Sequence, residues 1–174
     1  MKDFVLKNGL VLGSIQVTML FVSYLMGVDF MMKNWWIIFK TYLIPIGLVV
    51  YFVLEFRKLQ AGYATFKESF TVTFGIFAAG GFILTFFSIL LYNFIDVDFA
   101  IMFKEASIEK FYQMMQDFGV PEAEIDEGIK MLEEQDTFSA TNLAKGYFYN
   151  LPLYIIGSLV IAAFIKRNKP ELEA

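Results

Sequence analysis

Residues 57–70 read RKLQAGYATFKESF and separate two long apolar segments of the chain. This stretch, the basic connector, carries three cations, Arg57, Lys58 and Lys67, against one acid, Glu68. Basic residues in short loops tend to stay on the cytoplasmic side of a membrane, so such a connector indicates which way a membrane protein faces. The predicted fold and its orientation both follow from this stretch and its apolar neighbours.

The composition of the whole chain indicates a membrane protein. Of its 174 residues, 57% are apolar and only 18% are charged, and the mean hydropathy is +0.57. A soluble domain of this length carries more charge and less apolar mass. The 21 Phe, nine Tyr and two Trp suit a surface that faces lipid and ends in interfacial aromatic residues.

The absence of Cys and His from the sequence excludes several chemistries. Disulfides, thiolate nucleophiles, zinc sites built from Cys and His, and His-ligated haem all need those side chains. A histidine general base is excluded for the same reason. No glycine-rich phosphate loop is present either. We therefore predict no catalytic residue, no cofactor, no metal site and no binding of nucleic acid.

Four segments are apolar and long enough to cross a bilayer as helices. We predict these spans at about residues 9–28, 35–56, 72–95 and 146–165. About 20 helical residues cover the roughly 30 Å of a hydrocarbon core. We interpret the first segment as a retained span, because its apolar run is long and no small-x-small cleavage site follows it. Residues 1–174 then form a single membrane domain.

Residues 96–145 differ sharply from the spans on either side. They hold twelve acids and four Lys, a net charge of −8. Apolar residues recur at helical spacing near residues 103–118 and again near 121–134, with Gly119 between them. The first stripe consists of Ile108, Phe111, Tyr112, Met115 and Phe118. We predict a two-helix amphipathic cap between spans 3 and 4, resting its apolar face on the bundle or the headgroup region. The fold class is thus all-α, an integral membrane four-helix bundle with this extracytoplasmic cap.

The distribution of basic residues predicts the orientation. With four spans, both termini share the side of the basic connector. Eight basic residues crowd the span ends on that side: Lys2, Lys7, Arg57, Lys58, Lys67, Lys166, Arg167 and Lys169. Because the positive-inside rule weights short loops and residues near span ends, we predict cytoplasmic N- and C-termini. The acidic residues 96–145 are then extracytoplasmic.

Polar residues within the spans give few functional signals. Lys40 lies near the outer end of the second span, where its long stem lets the ammonium reach the headgroups; we favour this interface anchor over a buried functional cation.

Pro45 removes one backbone hydrogen bond and predicts a kink near Thr41. Gln16 can bond across helices, and we favour that packing role over a substrate contact. Three small-x3-small pairs predict close helix packing: Gly75 with Ala79, Gly81 with Thr85, and Ser158 with Ala162.

The basic connector also carries the most distinctive motif of the chain. Its fixed positions are Gly62, Tyr63, Phe66, Lys67, Glu68 and Phe70. We expect Gly62 to turn the chain and the aromatic residues to form the stripe of a short interfacial helix. Gly62, Tyr63, Phe66, Lys67 and Phe70 are the candidate contacts to lipid or to a partner protein. A structural connector is the alternative.

This motif resembles one in a family of bacterial four-span membrane proteins, characteristic of Bacteroidota and known as domain of unknown function 4199. The short N-terminus, the Pro-containing second span and the long helical stretch before the last span are further points of likeness. The resemblance implies four helices and a location in the inner (cytoplasmic) membrane. It implies no activity and no catalytic residue.

Three functional hypotheses follow. The first is a non-enzymatic accessory or scaffold subunit of an envelope complex, contacting the lipid bilayer and either a membrane-protein partner or further copies of itself. The second is a small oligomeric transporter or lipid-handling subunit, which needs Gln16, Thr85 or Ser88 to line a shared cavity. The third and least favoured is an enzyme that uses Asp96 and Asp98 on a lipid-linked substrate; a solvated span end explains that pair more simply.

Overall fold

The protein is described by a computed structural model that covers residues 1–169. The last five residues of the predicted membrane domain, 170–174, lie outside the described residues. The helices are α1 Lys2–Met26, α2 Val28–Met31, α3 Asn34–Ile38, α4 Ile44–Leu59, α5 Phe66–Leu90, α6 Val97–Asp117, α7 Glu122–Glu134 and α8 Ala140–Ile165. Two π-helical segments, Phe39–Leu43 and Leu91–Ile95, continue α3 into α4 and extend α5. Residues 1–169 contain no β-strand, only an isolated antiparallel bridge between Ala64 and Arg167.

Four continuous helices are long and apolar enough to cross a membrane. They are span 1 Lys2–Met26, span 2 Asn34–Leu59, span 3 Phe66–Ile95 and span 4 Ala140–Ile165. All four begin before the apolar segments that predicted them, and in spans 3 and 4 a side-chain cap rather than apolarity sets where the helix starts. Span 4, for example, begins after Ser139, whose side-chain oxygen accepts a hydrogen bond from the backbone N–H of Asn142 at 3.4 Å.

Span 3 is the centre of the bundle, with span 1 packed along one side and span 4 along another. The predicted pair Gly75 and Ala79 does allow span 1 to approach closely. A Cβ atom on Gly75 would lie 2.6 Å from Val5, and Ala79 itself leaves no room for a Cβ on Gly9. Gly81 gives similar room to Tyr154 of span 4. The small residues therefore act in helix packing, as their spacing predicts.

Span 2 is irregular where Pro45 predicts a kink. The π-helical segment Phe39–Leu43 lies immediately before that proline and contains Thr41. Pro45 has no N–H to donate, so the preceding turn cannot close with the ordinary α-helical bond. The first part of span 2, Asn34–Leu43, has no buried residue, whereas Val49 and Phe52 of its second part, Ile44–Leu59, belong to the core. Only this second part of span 2 thus packs tightly into the bundle.

The acidic insert forms the predicted pair of helices, and α6 packs against the bundle. Helix α6 begins at Val97, earlier than its apolar stripe suggested, and Phe99 and Ala100 are buried in a cluster with Leu20 and Tyr92. Gly119, at φ +72°, ends the helix as expected.

The distal part of the cap is held together by its own two helices. Ile125 of α7 is buried, and the ring of Phe111 lies against Gly128, where an added Cβ would be 3.0 Å away. Phe118, which we placed on the apolar stripe, is 76% exposed. The helix has already ended at Asp117, so the side chain of Phe118 leaves that face.

Candidate functional site

The residues singled out in the basic connector do not form the short interfacial helix that we expected. Residues 60–65 are a turn followed by extended chain, and Phe66 is the first residue of span 3 itself. The reason is a capping box: the backbone N–H of Glu68 donates to the Thr65 hydroxyl oxygen at 3.2 Å, and the backbone N–H of Thr65 donates to the Glu68 carboxylate at 2.8 Å. Tyr63 therefore lies outside the helix that carries Phe66 and Phe70.

The turn of the connector uses two residues with left-handed backbone. Ala61 has φ +57° and Gly62 has φ +86°. The N–H of Gly62 donates to the carbonyl oxygen of Arg57 at 2.9 Å. This bond satisfies one of the last carbonyl groups of α4 in the manner of a Schellman motif. Gly62 does turn the chain, as expected, but the residue before it is an alanine, for which a positive φ is strained.

The connector is fastened to the end of span 4. The N–H of Ala64 donates to the carbonyl oxygen of Arg167 at 2.9 Å, and the N–H of Arg167 donates to that of Ala64 at 2.7 Å. The Arg57 guanidinium also donates to the carbonyl oxygen of Ile165 at 3.0 Å. These bonds gather basic residues from two distant parts of the chain at one end of the bundle.

Two aromatic residues of the connector, Tyr63 and Phe66, lie against cations of the same chain. The Arg167 guanidinium lies 5.8 Å from the ring centre of Tyr63, and the Lys166 ammonium 6.0 Å from that of Phe66. The rings of Phe66 and Phe70 stack at 6.4 Å, while Lys67 is exposed. The structure thus brings the candidate contact residues together at one end, and their contact with lipid or a partner stays a prediction.

A different site, not anticipated as a unit, lies between the spans. It is a cavity of about 510 Å³ that we call the intramembrane cavity. All four spans contribute to its wall, together with Met31 of α2 and Phe103 of α6. Its polar or charged side chains are those of Gln16, Lys40, Thr41, Tyr42, Ser88, Tyr92, Asn150 and Tyr154.

The irregularity of span 2 explains why the cavity exists. Spans 1, 3 and 4 are held together by glycines and buried side chains, but the first part of span 2, Asn34–Leu43, buries no residue against them. Tyr42 of span 2 and Leu153 of span 4 both line the cavity, yet they are 54% and 60% exposed. The cavity therefore opens sideways between spans 2 and 4.

The end of the cavity nearest to residues 96–145 is closed by the cap. The ring of Phe103 on α6 stacks with that of Tyr92 at 6.4 Å and contacts Phe138 at 5.3 Å. The indole N–H of Trp36, near the start of span 2, donates to the hydroxyl oxygen of Ser23 in span 1 at 2.7 Å. These contacts hold the elements together at the end of the bundle that carries the cap, although the middle of the bundle is open.

Two polar groups of the cavity stand out by their surroundings. The Oε1 atom of Gln16 is buried and has no hydrogen-bond partner, so the bond across helices that we expected from Gln16 is not made by this atom. Lys40 is half-buried and lies in the π-helical segment of span 2. Ser88 and Asn150, by contrast, donate to carbonyl groups of their own helices, Leu84 and Gly146. No Asp or Glu is among the lining residues in the described part of the chain.

Asp96 accepts two hydrogen bonds that give it a structural role. One carboxylate oxygen accepts a hydrogen bond from the backbone N–H of Phe99 at 2.9 Å, which caps α6. The other accepts from the hydroxyl of Tyr24 in span 1 at 2.8 Å. Asp98 is exposed. Across residues 1–169, no group of three or more His, Cys, Asp or Glu side chains is placed to hold a metal ion.

The sequence indicated individual cavity residues but did not predict that they line one cavity. Gln16, Lys40 and Ser88 were each noted separately, and Thr85, which was grouped with Gln16 and Ser88, does not line the cavity. Tyr92, Asn150 and Tyr154 carried no signal for a cavity. These residues line one cavity because spans 2 and 4 lie apart from each other. No local sequence pattern predicts that separation.

Four helices long and apolar enough to cross a membrane define a multi-pass helical membrane protein. The chain belongs to the family described as protein of unknown function DUF4199, whose family model matches residues 7–167. This match confirms the resemblance seen in the connector motif. Comparison with the curated proteins found no match, and neither did comparison with the solved structures.

Proposed function

We propose that this protein is a non-enzymatic membrane protein that binds a small amphiphile, a lipid or lipid-like molecule, in the intramembrane cavity. This is the lipid-handling hypothesis, and one observation carries it: Gln16 and Ser88 line a cavity of about 510 Å³ within a single chain. Pockets for small ligands are usually 300–1,000 Å³ and mostly apolar, with a few polar groups that orient the ligand. The cavity matches this description in size and chemistry.

The unpartnered Gln16 supports a bound molecule. A buried acceptor without a hydrogen bond costs roughly 1–3 kcal/mol, and the Oε1 atom of Gln16 is such an acceptor. A hydroxyl or N–H group of a ligand would remove this cost. The apolar wall, which includes Met19, Leu84 and Leu153, suits an alkyl chain lying beside the polar group.

The lateral opening supports an amphiphile rather than a water-soluble ligand. The cavity reaches the surface between Tyr42 and Leu153, on parts of spans 2 and 4 that would lie within the hydrocarbon layer. A molecule dissolved in the bilayer can pass through such a gap without leaving lipid. Phe103 of the cap closes the end nearest to the acidic insert.

We further propose that the protein lies in a bacterial inner membrane with both termini in the cytoplasm and residues 96–145 outside. The clustering of Arg57, Lys58, Lys166 and Arg167 at one end of the bundle supports this orientation, because basic residues at span ends favour the cytoplasmic side. The cavity then lies toward the outer leaflet, beneath the cap.

A second function, that of an accessory or scaffold subunit, is favoured by the surface of α7. Glu122, Glu124, Asp126 and Glu127 of its first turns are all exposed. Such a surface is complementary to a basic region of a partner and would steer it electrostatically. The partner is then a membrane protein with a basic extracytoplasmic face.

Two glycines of span 4 provide a matched test of the proposed function. Gly157 lines the cavity, Gly146 does not, and an added Cβ at either would meet no atom within 4 Å. We expect Gly157→Phe to fill the cavity and Gly146→Phe to leave it open. Native mass spectrometry of the full chain in a gentle detergent, with and without added hexadecanoic acid and methyl hexadecanoate, reads out the bound amphiphile.

The expected result is an adduct on the wild type and on Gly146→Phe that is lost from Gly157→Phe. An adduct of equal occupancy on all three proteins would contradict binding in the cavity. A wild type that binds neither probe would contradict the proposed function. A stoichiometric protein partner without an amphiphile would favour the accessory role in its place.

A further inference from the structure

We infer that the amphiphile carries an acidic group, a carboxylate or a phosphate, and that the ammonium of Lys40 binds it inside the intramembrane cavity. This inference rests on the proposed function and deepens it by naming the class of ligand. It also assigns to Lys40 a role other than the interface anchor that its position in the sequence favoured.

The first step of the argument is the position of Lys40. Span 2 begins at Asn34 and Lys40 lies almost two turns inside it, within the π-helical segment Phe39–Leu43. Its side chain is half-buried and lines the cavity together with Gln16.

The second step is the missing counter-charge. A cation within a membrane span is costly unless an anion or a carbonyl group faces it. No Asp or Glu of residues 1–169 lines the cavity that Lys40 faces. Two lysines of α6 have partners of their own: Lys110 donates to the Met32 carbonyl and to Asn34, and Lys104 donates to the Glu133 carbonyl. An acidic ligand would supply the charge that the cavity lacks.

The third step is the arrangement of the remaining polar groups. Gln16 provides a buried acceptor on span 1 and lines the same cavity as Lys40 of span 2. Its acceptor cannot bind an anion directly, but it can accept from a hydroxyl or N–H group next to one. Lys40 and Gln16 together therefore suit a headgroup that has both a negative charge and a donor, with the alkyl chain along Leu84 and Leu153.

The experiment compares ligands that share one alkyl chain and differ in charge. The probes are hexadecanoic acid, hexadecyl phosphate and the neutral methyl hexadecanoate, titrated against the full chain in a gentle detergent and measured by native mass spectrometry. We expect the wild type to bind at least one acidic probe about tenfold more tightly than the ester, the effect of one modest charge pair. The stronger of the two acidic probes identifies a carboxylate or a phosphate as the recognised group.

Three variants locate the charge preference. Lys40→Met should lose the preference for the acidic probe, measured as the ratio of the acidic-probe affinity to the ester affinity in that variant. Lys40→Arg, which keeps the charge, should retain it. Lys58→Met removes an exposed cation near the opposite end of span 2 and should also retain it.

The outcomes separate this inference from the function on which it rests. If Lys40→Met keeps the charge preference, or the wild type has none, the role of Lys40 is wrong, while loss of ester binding in Gly157→Phe would still support the cavity. If no probe binds the wild type, the proposed function itself fails.

Discussion

The Cβ atom that Gly9 lacks would lie 2.5 Å from the Cβ atom of Ala79. Real Cβ atoms do not come so close, so spans 1 and 3 pack at this distance only because residue 9 is glycine. One turn further along span 1, a Cβ on Gly13 would lie 2.7 Å from Ile83. This contact makes spans 1 and 3 a fixed pair, and the open side of the bundle is the one that faces span 2.

Gly9→Leu should separate this pair of spans. Overpacking a close helix contact costs about 1–3 kcal/mol, so we expect a clear fall in the midpoint of thermal unfolding in detergent. Gly47→Leu is the control, because an added Cβ at Gly47 meets no atom within 4 Å. Equal loss of stability in both variants would show that the distance between Gly9 and Ala79 does not limit the packing.

The connector turn predicts opposite effects of two neighbouring substitutions. Ala61 has a left-handed backbone that costs an L-residue about 1–2 kcal/mol, so Ala61→Gly should be stabilising by somewhat less. Gly62 has φ +86°, and Gly62→Ala should be destabilising by about 1 kcal/mol. Thermal unfolding of the two variants in one detergent measures both. A destabilised Ala61→Gly would contradict the strain that we assign to the turn.

Asp96 joins the cap to span 1, and its variants should lower the free energy of unfolding by different amounts. Asp96→Ala loses both the cap of α6 and the bond from Tyr24, and should cost about 2–3 kcal/mol. Asp96→Asn keeps one good acceptor and should cost about half as much. The exposed Asp98→Ala should change the free energy of unfolding by less than about 0.5 kcal/mol. Similar losses at positions 96 and 98 would argue against this structural role.

The orientation can be read from single cysteines, because the chain has none of its own. Glu127 on α7 and Gln60 in the connector are both exposed. In spheroplasts, a membrane-impermeant maleimide should label Glu127→Cys directly and Gln60→Cys only after permeabilisation. The reverse pattern would place the acidic cap in the cytoplasm.

The local features of the fold were predictable from the sequence. Apolar length alone indicated four spans, and Gly119 and Gly62 marked turns where the backbone has positive φ. The small-x3-small pattern also identified Gly75 and Ala79 as packing positions. The same pattern at Gly9 and Gly13 was available in span 1 and would have indicated the facing surface.

The cavity was not predictable in the same way. Lys40 and Gln16 are on different spans, and nothing in either local sequence states that they line one space. The interfacial helix was wrongly predicted for a similar reason: the spacing of Tyr63 and Phe66 is helical, but the capping box of Thr65 and Glu68 starts the helix only at Phe66. Spacing predicts a shared face only where the chain is continuously helical.

The most direct test of the central claim is photo-crosslinking of an amphiphile with a diazirine in its alkyl chain, followed by mass spectrometric mapping of the labelled residues. We predict labels on cavity residues such as Met19, Phe77 and Leu84 that disappear with excess unlabelled amphiphile and in Gly157→Phe. Labels confined to outward-facing residues such as Phe164, which is 85% exposed, and insensitive to competition would contradict a ligand site inside the bundle.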